Sequence, residues 1–128
     1  MSFYLQNLGI VNALGCSAEA VLHNMLAGQA PLRECDWVMN KTTFIAPVDA
    51  QLLPVPAPLY PWRSRNLQLA LTAIEQIRPA IQAACDAYGA DRIAVVTGTS
   101  TSGIGEGEAA IAAAEKHGQR PADYHYRQ

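Results

Sequence analysis

The sequence predicts an α/β fold, and three observations carry that prediction. The β-branched run Ile93, Ala94, Val95, Val96 breaks abruptly into glycines. Residues 64–88 place apolar side chains at helical spacing. Strand-like and helix-like segments then alternate along the 128 residues in the order β, α, hairpin, long α, β, α.

Each element has its own signal. Residues 2–12 read as a first strand that turns at Leu14 and Gly15. Ser17 is a good N-cap for a helix whose apolar stripe is Val21, Leu22, Met25 and Leu26 and whose stop is Gly28. Residues 36–48 look like a hairpin, with Asn40 and Lys41 as the turn pair. From Pro47 to Pro61, prolines alternate with small apolar residues, the pattern of an extended connection. Ser64 opens the long helix. Its stripe is Leu67, Ala70, Leu71, Ile74, Ile77, Ile81, Ala84, Cys85 and Tyr88, Gly89 ends it, and Pro79 should kink or split it. A strand over 92–97 follows, and then an alanine-rich helix from near Gly105 to His117, closed by Gly118.

Composition narrows the function. Half the residues are hydrophobic and the formal net charge is −2, the balance of a globular protein rather than a disordered one. No basic stripe invites nucleic acid, and no apolar run is long enough to span a bilayer. The first fifteen residues lack the basic region and apolar core of a signal peptide. Cys16, Cys35 and Cys85 form no CxxC pair, so a reducing, cytoplasmic setting is expected rather than a disulfide framework or zinc site. His23, His117 and His125 have no ligand spacing, and no metal or cofactor is expected.

The segment 92–108, RIAVVTGTSTSGIGEGE, is the most informative part of the chain. A strand, a glycine turn and a helix start in succession mark the place where open α/β sheets bind ligands. It is not a phosphate loop. Gly98 and Gly103 have the right spacing, but Ile104 and Gly105 stand where Lys and Ser or Thr are required. Glu106 and Glu108 would also repel a polyphosphate. A plain strand-to-helix connection would use the same residues.

Four segments in this order resemble the N-terminal part of the β-ketoacyl-acyl-carrier-protein synthases, the condensing enzymes of the thiolase fold. They are LGIVNALG with SAEAVLHNMLAGQAPL, then TTFIAPVD, then SRNLQLALTAIEQIRPAIQAA, and finally RIAVVTGTSTSGI. GTSTSGI together with YHYRQ further resembles the branch found in bacterial aryl-polyene and polyketide-like pathways. The resemblance implies that residues 1–128 are an incomplete N-terminal portion of a thiolase-like layered αβαβα fold.

It also implies a reaction: decarboxylating Claisen condensation of acyl and malonyl carrier-protein thioesters through a cysteine nucleophile supported by two histidines. The family's Ala-Cys motif would lie beyond Gln128, so no catalytic residue is assigned here. Ala84 and Cys85 fall inside a helical pattern, where no nucleophile elbow forms, and Cys16 only precedes a helix cap. The chain alone is expected to be inactive. In the family, the glycine turn borders the acyl pocket, so Gly103, Ile104 and Gly105 are the acyl-channel candidates. The implied partners are acyl carrier protein and a second synthase subunit, in a homodimer or heterodimer. Two other readings stand beside the enzyme: a non-catalytic partner resembling a chain-length factor, and an unrelated α/β small-molecule module.

Overall fold

The computed structural model describes residues 4–36, 41–99, 103–122 and 124. Its elements are α1 (Ala18–Leu26), β1 (Arg33–Cys35), β2 (Thr43–Ile45), a 3-10 turn (Ala57–Trp62), α2 (Arg65–Gln76), α3 (Arg78–Tyr88), a second 3-10 turn (Ala90–Arg92) and α4 (Ile104–His117). It is a mixed α/β arrangement, mostly helix with one small sheet.

The helices begin and end where the sequence places them. Ser17 caps α1, its hydroxyl oxygen accepting from the Ala20 N–H at 3.1 Å. Asn24 of α1 donates to the Leu14 carbonyl at 2.7 Å and so ties the helix to the turn before it. Ser64 caps α2 in the same way, accepting from the Leu67 N–H at 3.2 Å. The long helix is split in two. Ile77 leaves helical geometry at φ −108° and ψ 8°, and Pro79 falls in the first turn of α3, where its missing N–H removes no helical bond. Gly89 and Gly118 stand just past α3 and α4.

The hairpin forms, but in a different register from the expected one. β1 and β2 pair antiparallel with Arg33 opposite Ile45, Glu34 opposite Phe44 and Cys35 opposite Thr43. The first arm therefore lies before residue 36, in a charged stretch that reads as loop. Cross-strand pairing and the burial of Cys35 outweigh the weak strand preference of Arg33 and Glu34. Asn40, half of the expected turn pair, lies outside the described residues.

The expected strands 2–12 and 92–97 are corrected more deeply. Neither carries a ladder among the described residues, where β1 and β2 form the sole sheet. Gly9 and Ile10 of the first segment lie against α2 instead. Gln76 at the end of α2 does the work of a neighbouring strand for Ile10, accepting from its N–H at 3.1 Å and donating to its carbonyl at 3.0 Å. The approach is close: a Cβ on Gly9 would sit 2.0 Å from the Ala73 carbonyl oxygen, so only glycine fits there. One turn back along α2, Thr72 accepts from the Leu53 N–H at 3.0 Å, and Gln68 donates to the Leu53 carbonyl at 3.4 Å. Gln68, Thr72 and Gln76 thus form a polar row that holds two irregular segments on α2.

Little of the chain is buried. Val21, Cys35, Val55 and Ala110 are the buried hydrophobic residues among those described, with Ser64 the buried polar one. Val95 and Val96 are 83% and 94% exposed. No described helix is long and apolar enough to cross a membrane.

Candidate functional site

The glycine turn meets the start of α2. Residues 100–102 lie outside the described part, but both flanks of the turn are in place. Gly103 takes the left-handed conformation, φ 66°, which a side chain would strain, and α4 starts from it. Ile104, Gly105 and Glu106 form the first turn of α4, and the Gly107 N–H closes the first helical bond to the Gly103 carbonyl at 2.9 Å.

Gly103, Ile104 and Gly105 line one wall of a hollow of about 440 Å³. The opposite wall is Arg65, Asn66 and Leu69 of α2, and Glu106 completes it. The structure therefore brings the three candidates together at one site. Ile104 is 55% exposed and contributes an apolar wall alongside Leu69. Arg65, Asn66 and Glu106 are the polar side chains of the lining.

Sequence reasoning missed the α2 half of this site. The one available signal was the helix start at Ser64, which places Arg65 and Asn66 in a first turn whose N–H groups need acceptors. Glu106 supplies one of them, its Oε1 accepting from the Arg65 N–H at 3.3 Å. Asn66 Nδ2 donates to Thr99 Oγ1 at 3.2 Å on the other side of the turn. The Arg65 guanidinium reaches away to the Val48 carbonyl. A second hollow, of about 440 Å³, lies behind the Arg65–Glu106 contact and is lined by Pro54, Val55, Tyr60, Arg63 and Gln68.

The cysteines are scattered. Cys16 is exposed before α1, Cys35 is buried in β1 and Cys85 is half-buried inside α3. None of them lines the hollow beside Ile104. Among the described residues no three His, Cys, Asp or Glu side chains come together as a metal site. His125 lies outside the described part. The ionisable pair with displaced protonation, Glu75 and Arg78, sits at the α2–α3 junction and does not line the hollow.

No family model matches the chain, and no curated protein matches it. A solved structure does: a chain of the complex between the ketosynthase ApeO and its chain length factor ApeC from Xenorhabdus doucetiae. The two superpose with a TM-score of 0.85 at 38% identity over 96% of the present chain. The present chain spans 32% of that chain's length. Over this stretch it has the ketosynthase and chain-length-factor type of fold, a thiolase-like architecture.

Proposed function

We propose that this chain is the N-terminal part of a 3-oxoacyl-acyl-carrier-protein synthase that extends an acyl chain by decarboxylating Claisen condensation. The observation that carries the reading is the likeness at 38% identity, over 96% of the chain, to a ketosynthase–chain-length-factor complex. In this reaction a cysteine thiolate takes the acyl group from one carrier protein and releases that carrier's thiol. Malonyl carrier protein then loses carbon dioxide. The resulting carbanion attacks the acyl-cysteine thioester and expels the thiolate. None of these reacting groups is assigned to residues 1–128. Their contribution is a wall of the acyl channel, Gly103, Ile104 and Gly105, with Ile104 as the apolar surface that limits chain length. The setting is cytoplasmic, and the partners are acyl carrier protein and a related synthase subunit.

A second reading has a specific observation behind it. The similar structure is a two-subunit complex, and either subunit type is compatible with the likeness. Under this reading the chain belongs to a non-catalytic, chain-length-factor-like subunit.

The test is to incubate the complete protein with acyl and malonyl carrier proteins, with and without its partner subunit, and follow the products by mass spectrometry. The synthase reading expects a β-ketoacyl product and a cysteine-bound acyl adduct on this protein. An adduct confined to the partner, with product requiring both chains, supports the chain-length-factor reading. Absence of β-ketoacyl product in every combination refutes both.

A further inference from the structure

We infer that Glu106 and Asn66 are positioning residues that clamp the glycine turn onto the N-terminus of α2 and thereby set where Ile104 stands in the hollow. The inference rests on the acyl-wall reading of Ile104 for its consequence, but the clamp itself stands on geometry. Two contacts, one on either side of residues 100–102, join the turn to consecutive residues of α2. On the N-terminal side, Thr99 Oγ1 accepts from Asn66 Nδ2 at 3.2 Å. On the C-terminal side, Glu106 Oε1 accepts from the Arg65 backbone N–H at 3.3 Å.

Glu106 is suited to this by its place in two helices at once. It is the third residue of α4, so its carboxylate favours that helix's positive end. It also reaches the first N–H of α2, a donor that the helix cannot satisfy internally. Ser64 serves Leu67, two residues further along, and leaves Arg65 to Glu106. One carboxylate therefore ties two helix N-termini together. Ile104 lies two residues before it, on the same first turn of α4, so a shift of Glu106 moves Ile104 with it.

This gives a role to a residue whose charge otherwise only argues against phosphate. It also separates two functions inside the turn: Ile104 presents the surface, while Glu106 and Asn66 fix its distance from Leu69 across the hollow.

The experiment uses the complete protein, with its partner subunit, in four variants: Glu106→Ala, Glu106→Gln, Asn66→Ala and Ile104→Ala. Two quantities are measured, amide hydrogen exchange over 98–107 and at Arg65, and the chain length of the products. Glu106→Ala and Asn66→Ala should each speed exchange over the turn by roughly tenfold, the worth of one lost hydrogen bond to local opening. Glu106→Gln keeps an acceptor oxygen and should restore most of the protection. Both alanine variants should broaden product length, whereas Glu106→Gln should not.

Unchanged exchange in Glu106→Ala and Asn66→Ala overturns the clamp. Faster exchange with unchanged products, while Ile104→Ala does shift them, overturns the positioning role and leaves the acyl wall standing. If Ile104→Ala leaves products unchanged, the acyl-wall reading falls by itself, and the exchange data alone decide the clamp.

Discussion

Ile104 and Gly9 are the two side-chain positions where one atom decides most. Ile104 is half exposed over the hollow, so its truncation removes a wall without opening a cavity in a packed core. Under the proposed function, Ile104→Ala should shift the complete protein with its partner toward longer products. It should cost less than about 1.5 kcal/mol in stability, against the roughly 2–5 kcal/mol of a buried plug. Product analysis and melting temperature together read both effects, and an unchanged product profile rules out the wall. Gly9 works in the opposite sense, by having no side chain. A methyl there would meet the Ala73 carbonyl oxygen at 2.0 Å, far inside contact distance. Gly9→Ala should push the first segment off α2, break the two Gln76 bonds to Ile10 and destabilise the protein by about 1–3 kcal/mol in denaturant unfolding.

At the scale of elements, α2 is the organising piece. Its Gln68, Thr72 and Gln76 hold two irregular segments, its first turn receives Glu106 and Thr99, and its end breaks cleanly into α3. The break is marked by an ion pair. The Arg78 guanidinium donates to Glu75 Oε2 at 2.6 Å and holds that carboxyl below the usual carboxylate range. Partial loss of water around Glu75 pushes the other way, and the charge of Arg78 adds a further pull downward. A carboxyl lowered in the folded state favours folding above its unfolded pKa, and that contribution disappears as pH falls through the lowered value. An NMR titration of Glu75 should therefore show a depressed midpoint that rises toward the ordinary glutamate value in Arg78→Ala. The pair is exposed, so its effect on stability should be small.

At the scale of the molecule, the chain exposes 10450 Å². A compact monomer of 13.8 kDa would expose only about 6,600 Å². The excess is apolar in the places that matter: Val95 and Val96 stand almost fully exposed, and so does Leu5. Residues 1–128 expressed by themselves should therefore bind a hydrophobic dye, self-associate and melt without a sharp transition. Calorimetry and light scattering check this, and a cooperative transition of a soluble monomer at high concentration would contradict it.

What the sequence determined by itself is local. The capping serines Ser17 and Ser64, the break forced by Pro79 and the stops at Gly89 and Gly118 all act through groups a few residues apart, and the structure has each of them in place. The gathering of Gly103, Ile104 and Gly105 is local for the same reason, since they are consecutive residues at the start of α4. The long-range decisions belong to the tertiary structure. Residues 2–12 and 92–97 have the composition of strands, but a strand exists only with a hydrogen-bonded neighbour; at Ile10 the Gln76 side chain takes that place, and neither segment has a ladder partner among the described residues. The hairpin register was hidden because Arg33 and Glu34 pair through backbone groups that every residue shares. The α2 half of the hollow was hidden because Arg65 and Glu106 are forty-one positions apart, and nothing in either side chain alone says that one will accept the other's N–H.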